Sequence, residues 1–341
     1  MEVTRIGLDI AKNVFQVHGV DKHGKTVLRK QLKRAELMPF FAQTPPCLIG
    51  IEACAGSHDW ARRLRTLGHD ARLMAAQFVS PYRKGGKAGK NDKTDAEAIC
   101  EAVGRPAMRF VPVKTVDQQA ILAVHRVRDS SVAERTALVN QIRGLLGEYG
   151  VVVPQGRERL QKALPEVLED AQCELPTLFR AILAELADRL RDLNTRIAHY
   201  DDLIEGQARV MPQATRLMAM PGIGPVTATA LVASVGDARE FKSGRQFAAW
   251  LGLVPKQYSS GGKSRLGGIS KRGDSYLRRL LVHGARSVLR LAADETNRVN
   301  RWAQSVKGRR GENIAAVALA AKHARQVWVL LAKEQDFCLA A

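Results

Sequence analysis

The sequence predicts an α/β domain followed by a largely helical remainder, and three observations predict it. Short apolar runs separated by turns and brief helical stretches fill the first hundred residues. From about residue 115 the apolar positions change to helical spacing and keep it for much of the chain. Charge follows the same division: residues 1–110 carry 19 basic and 11 acidic side chains, 111–205 carry 12 and 15, and 206–341 carry 22 and 8. The domains predicted are therefore 1–110, 111–205 and 206–341.

The elements can be justified in order. Residues 4–10 form a strand, 13–20 a second, and 25–32 a third after the Asp21–Gly24 turn. A helix over 34–43 is stopped by Pro45–Pro46. Strand 47–52, helix 57–67, strand 70–74 and helix 92–103 follow, with KGGKAGKN (84–91) as a mobile basic loop before the last. Three strands in a meander, then helix, strand, helix, strand and helix, is the order of a ribonuclease-H/RuvC-like mixed sheet with helices on both faces. Residues 115–149 form a long helix, 154–176 interrupt it, and a second long helix from Pro176 carries a near-heptad stripe: Leu178, Ile182, Leu186, Leu190, Leu193, Ile197 and Tyr200. That coiled-coil-like pair suits either an intramolecular hairpin or protomer assembly. Beyond residue 212, MPGIGPVTATALVASVG (220–236) has the turn of a helix-hairpin-helix, with Gly222 and Gly224 placed to let a phosphate approach. Helices near 243–251, 273–292 and 312–333 then surround a loop, 255–272.

Composition sets the class of partner. The 341 residues hold 53 Lys+Arg against 34 Asp+Glu, a formal charge of +19, as expected of a polyanion-binding chain. Basic charge lies at the two ends, so nucleic acid is expected there. No apolar run of transmembrane length and no leader is read, so a cytoplasmic location is expected. The five cysteines (Cys47, Cys54, Cys100, Cys173, Cys338) form no CxxC pair, and the eight histidines show no zinc-ligand spacing. GGKS (261–264) is not a phosphate loop, because Gln257 stands where that motif requires its first glycine.

Four carboxylates carry the chemistry. Asp9 lies in a strand whose other face is Ile6, Leu8 and Ile10, and Glu52 ends the next core strand. Asp92 and Asp95 are three apart on one helix and so share a face. Gathered together, four hard oxygen donors suit Mg²⁺ or Mn²⁺ and phosphoryl transfer. Asp92 as a helix cap and Asp9 as a turn residue are the structural alternatives. Ser260, followed by two glycines, reads as a turn or as a nucleophile with Ser259 as its rival. Lys256, Lys263, Arg265, Lys271, Arg272, Arg278 and Arg279 crowd around it, a setting for a phosphate.

The segments GLDIAK, IEACAGS, KNDKTDAEAI, RPAMRFVPVK, MPGIGPVTA and RQFAAWLGLVPKQYSSGGKSRLGGISKRGDSYLRRLL span nearly the whole chain in order. With them the chain resembles the insertion-sequence 110 family of transposases, in the branch typified by insertion sequence 1111, related to Piv-type DNA invertases. The resemblance implies a RuvC-like domain with Asp9, Glu52, Asp92 and Asp95 as Mg²⁺ ligands, a coiled-coil linker, and a C-terminal domain with Ser260 as nucleophile. It implies covalent serine–DNA intermediates, a structured guide RNA from the element, and active sites completed between protomers of a tetramer. Two other readings stand beside it: a RuvC-like hydrolytic nuclease or junction resolvase, and a non-catalytic nucleic-acid-binding protein. A covalent protein–DNA adduct separates the first from both.

Overall fold

The computed structural model describes residues 2–83, 92–170, 172, 174–291 and 298–338, without the side chains of Asp92, Lys93 and Ser264. The basic loop expected over 84–91 and Cys173 thus lie outside the described residues. The chain divides into two compact units, Met1–Val116 and Asp117–Ala341.

The first unit is a six-stranded mixed sheet with helices. Its elements are β1 (Arg5–Ile10), β2 (Val14–Val20), β3 (Thr26–Lys33), α1 (Leu37–Ala42), β4 (Leu48–Glu52), α2 (Ser57–Thr66), β5 (Asp70–Met74), α3 (Ala76–Val79), α4 (Asp92–Val103) and β6 (Phe110–Val111). The sheet order is β3-β2-β1-β4-β5-β6. The first three strands form an antiparallel meander, β1, β4 and β5 run parallel, and β6 returns antiparallel on β5. Strand alternation divides the side chains between two faces. Ile6, Leu8, Ile49, Ile51 and Leu73 enter one core with Phe15, Phe41, Trp60 and Leu64. The opposite face lies under α4, where Ala98, Ile99, Ala102 and Val103 pack with Met74 and Val79.

Glycine sets the depth at which α4 sits. A Cβ on Gly7 would fall 2.1 Å from the Ala96 carbonyl oxygen, and one on Gly50 would fall 2.7 Å from Val103 Cβ. The helix therefore rests on bare strand backbone. Gly7→Ala is expected to lift α4 and to destabilise the unit by about 1–3 kcal/mol. An unchanged thermal midpoint would refute that packing.

The second unit begins with two long antiparallel helices. These are α5 (Val116–Glu148) and α7 (Thr177–Val210), with α6 (Arg157–Glu169) between them. Arg135 Nη1 donates to Asn194 Oδ1 at 3.1 Å, Arg189 pairs with Glu134 at 2.7 Å, and Arg128 pairs with Asp201. The segment read as an interruption thus contains a helix, which accommodates Pro165 inside it and buries Leu160 and Leu164. The predicted stripe also shifts phase. Leu190, Leu193 and Ile197 are buried as expected, but Phe179, Leu183 and Ala187 replace Leu178 and Ile182, which are exposed. Leu190 and Leu193 pack against α5 and α6 of their own chain.

The remaining elements are α8 (Pro212–Met218), α9 (Pro225–Val235), α10 (Gly244–Trp250), β7 (Pro255–Ser260), β8 (Lys263–Ile269), α11 (Ser275–Leu291), α12 (Arg298–Arg310) and α13 (Glu312–Ala332). α13 corrects the expectation that no apolar run reaches membrane-spanning length: over 21 residues its best window has a mean hydropathy of 1.3. Half of that window is buried, and Leu319, Ala320, Ala324 and Val327 are core residues packed with α11 and α10. It is apolar because it is central to a helical core.

A buried polar network ties α5 to α9 and α11. Thr229 Oγ1 donates to Pro225 O at 2.8 Å, so it accepts from His125 Nε2 at 3.0 Å; His125 Nδ1 in turn accepts from Tyr276 Oη at 2.9 Å. Burial, aided by Arg128, pushes neutral His125 down to about 4. Burial and Lys322 do the same to His323, also to about 4. The unfolded chain takes up protons near pH 6.5, before either folded histidine does. Stability is thus full above about pH 6.5 and falls as pH drops toward 4, by up to about 3 kcal/mol per histidine. Urea midpoints from pH 7 to 4.5 should show this decline, and a flat profile would contradict it.

Candidate active site

β1 and β4 bring two of the four predicted carboxylates side by side. Their parallel register pairs Gly7 with Gly50 and Leu8 with Ile51, and one further step sets Asp9 beside Glu52. Each carboxylate lies two residues beyond the glycine under α4, and therefore on the α4 face. Past Glu52 the chain turns sharply. Ala53 N–H donates to Met74 O at 2.7 Å, and Ser57 Oγ donates to Cys54 O at 2.8 Å as α2 begins behind Gly56. In this turn Cys54 is exposed, and its thiol is raised by desolvation first and then by the charges of Glu52 and Asp9.

Asp95 comes from the second turn of α4, next to the Ala96 carbonyl that covers Gly7. It is buried, and Arg83 Nε lies 2.6 Å from its Oδ1. Arg83 Nη2 also donates to Glu52 Oε2 at 3.3 Å. One guanidinium therefore bridges two of the carboxylates. Arg83 was not singled out from sequence; its only signal was a cation between a turn and a basic segment. Asp92 opens α4 one turn before Asp95, and its side chain lies outside the described residues.

Among the described residues no group of three or more Asp, Glu, His or Cys side chains is drawn close enough to hold a metal ion. The donors present are nonetheless all carboxylate oxygens, the chemistry of a hard divalent cation. Asp95 Oδ1 is buried without an aligned hydrogen bond, and a cation already stands between Asp95 and Glu52. The residues fit a divalent ion on those grounds.

Ser260 lies in a hairpin where a loop was expected. β7 and β8 pair antiparallel, with Ser260 opposite Lys263 and both intervening glycines at positive φ, Gly261 at 54° and Gly262 at 77°. Two such residues make the tight turn whose twist suits a hairpin. The strands escape apolar patterning because β7 is exposed along its whole length. The register also separates the two serines. Ser260 pairs with Lys263 and Tyr258 with Arg265, so these four and Lys256 share one face. Ser259 faces the other way, opposite Ser264, and its Oγ accepts from Gln257 Nε2 at 2.8 Å.

The seven predicted basic residues fall into two groups. Lys256, Lys263, Arg265, Lys271 and Arg272 are exposed along the hairpin and its base. Arg278 and Arg279 have structural partners. Arg278 Nη1 donates to Leu251 O at 3.0 Å and Arg272 O at 3.2 Å, clamping the hairpin base, while Arg279 pairs with Asp129 and lies over the Tyr276 ring. Lys271 itself adopts a left-handed backbone, φ 55°, and donates its N–H to Gly252 O at 3.1 Å. The two turn glycines also differ. Gly222 (φ 82°) lies against α11, where a Cβ would come within 2.7 Å of Gly284 O, so helix packing demands this glycine. Gly224 caps α9 with open space around its Cα.

Comparison with known proteins supplies the class. A DEDD transposase profile of the IS110 type matches residues 6–151, and the profile of the transposase IS116/IS110/IS902 family matches 214–300. A "Probable family 20 transposase" of Pseudomonas aeruginosa is 54% identical over 335 residues, covering 98% of both chains. The transposase for insertion sequence element IS1328 of Yersinia enterocolitica is 44% identical over 96% of both. That for IS1111A of Coxiella burnetii is 40% identical over 98% of this chain and 92% of its own. A mixed α/β sheet followed in the chain by a basic helical unit is here the architecture of a DNA transposase, an enzyme whose substrate is DNA. The chain belongs to the IS116/IS110/IS902 family of insertion-sequence transposases. A DEDD transposase domain also suggests use of a divalent metal.

Proposed function

We propose that this transposase cuts and rejoins DNA through a covalent serine–DNA intermediate, with Ser260 as nucleophile and Asp9, Glu52, Asp92 and Asp95 as ligands of Mg²⁺ or Mn²⁺. The observation that carries the reading is the hairpin register, which gives Ser260, and not Ser259, a shared face with Lys256, Lys263 and Arg265. Those cations are arranged to hold a phosphate and to stabilise charge developing on it. Attack by Ser260 Oγ forms a phosphorus–oxygen bond and breaks the bond to a deoxyribose oxygen. The serine proton leaves, and a proton reaches the departing sugar hydroxyl. Attack by another sugar hydroxyl reverses the step, restores the serine and reseals the strand with no external energy source. The bound divalent ion supplies Lewis-acid stabilisation of the phosphate oxygens.

The strand order β3-β2-β1-β4-β5, with carboxylates at the ends of the two central strands, supports a RuvC-like reading of residues 1–110. Residues 111–205 then serve as a helical, coiled-coil linker, and 206–341 as the C-terminal transposase domain with a helix-hairpin-helix turn. A structured RNA from the element pairs with donor and target DNA to choose the sites. Protomers assemble as dimers into a tetramer that completes each active site, acting on DNA in the bacterial cytoplasm. The test is denaturing electrophoresis of the protein with end-labelled element DNA. A band shifted by the mass of the protein is expected; free cleaved ends alone would mark a hydrolytic nuclease.

A further inference from the structure

We infer that Arg83 is the resident counter-ion of the carboxylate site, exchanged for the divalent cation when the site loads. The inference rests on the metal-site reading above. Glu52 ends β4 and Asp95 projects from α4, so two negative charges from different elements meet at one end of the sheet. Their side chains are 24% and 11% exposed, and that of Arg83 is 19% exposed. Without a cation, two such carboxylates would repel in a partly desolvated place. The guanidinium offsets that repulsion and couples the strand end to the helix.

The fit is incomplete, which is why exchange is favoured. Arg83 Nε and Asp95 Oδ1 are only 2.6 Å apart, yet both atoms are buried and neither makes an aligned hydrogen bond. Charge holds this contact, without the planar fork geometry in which arginine binds carboxylates best. A partly buried ion pair with unsatisfied hydrogen bonding recovers little of its desolvation cost. A hard divalent ion carries twice the charge and takes carboxylate oxygens, with water, at about six octahedral positions. Arg83 stands against Asp95 Oδ1 and Glu52 Oε2, so a divalent ion drawn to the same two carboxylates meets its positive charge at close range and is repelled while the guanidinium stays. The Arg83 backbone is held by its N–H to Ser80 O at 3.3 Å, so the exchange asks only its long side chain to swing away.

The test measures Mn²⁺ binding to the full-length protein without DNA, by the paramagnetic resonance signal of free Mn²⁺, with melting curves in EDTA and in Mn²⁺. Arg83→Gln is expected to bind Mn²⁺ about tenfold more tightly, because a competing positive charge is removed. It should melt lower than wild type in EDTA and gain more from Mn²⁺, since a ligand stabilises according to its affinity. Arg83→Lys, which keeps the charge but loses the bridging reach, should fall between the two. Wild type that binds Mn²⁺, with Arg83→Gln binding it equally or more weakly, would overturn the inference and leave the metal site standing. No Mn²⁺ binding by wild type or by Arg83→Gln would sink both, whereas binding by Arg83→Gln alone supports the exchange. Should Arg83→Gln fail to fold in EDTA, Arg83→Lys decides: tighter Mn²⁺ binding than wild type supports the exchange, and equal or weaker binding overturns it.

Discussion

Ser260→Ala is expected to lose the covalent protein–DNA adduct and all strand exchange while still binding nucleic acid. Removing a nucleophile that forms a covalent intermediate lowers turnover by about four orders of magnitude or more. The basic face of Lys256, Lys263 and Arg265 remains in place, so affinity for DNA should hardly change. Ser259→Ala is the internal control. Its hydroxyl accepts one exposed hydrogen bond from Gln257, worth about 1 kcal/mol, so activity should fall no more than roughly tenfold. The measurements are adduct formation on a denaturing gel and mass spectrometry of the adduct peptide. A peptide modified at Ser259 would keep the chemistry and correct the residue. Robust cleavage by Ser260→Ala, with no adduct in the wild type, would move the protein to the hydrolytic class.

The second large effect is expected at the sheet end. Asp9→Ala, Glu52→Ala, Asp92→Ala and Asp95→Ala should each reduce strand cleavage by about three orders of magnitude or more, the scale for losing electrostatic stabilisation of phosphoryl transfer. Nucleic-acid binding should persist, because each change removes negative charge and leaves the basic surface alone. Stability will separate the four. Asp95→Ala strips Arg83 of its nearer partner and leaves a half-buried cation, so it should melt lower than Glu52→Ala, which leaves the 2.6 Å contact intact. Normal recombination in Mg²⁺ by any two of these variants would refute the assignment.

Much of the sheet was legible because its signals are local. The alternation in RIGLDI and in LIGIE, the Asp21–Gly24 turn and the Pro45–Pro46 stop each depend on a few neighbouring residues, and β1, β4 and α2 fall within a residue or two of expectation. The hairpin was not legible. β7 is exposed along its whole length and, among the described residues of β8, only Ile269 at its end packs against the core, so no apolar period marks the strands, and the adjacent glycines were the clue available. α6 was hidden by treating Pro154–Pro176 as a single break, although Pro165 sits inside its helix. In α7 the stripe was right in its C-terminal part and one residue out of phase in its N-terminal part, where Leu178 and Ile182 face outward. Apolar residues lie on more than one side there, and only packing against α5 and α6 chooses between them.

The amino-acid order by itself determined the class of partner, through a charge of +19, and the identity of the carboxylates that end core strands, through residue type and strand period. Tertiary structure alone decided what those residues face. Whether Asp9 stands beside Glu52 depends on a parallel register between strands 43 residues apart, and whether Asp95 reaches them depends on α4 resting on bare glycine backbone. The same holds for Arg83 between Glu52 and Asp95, and for Ser260 rather than Ser259 beside Lys263 and Arg265. Local propensity acts over a few residues, whereas register and burial are settled by contacts between segments distant in sequence.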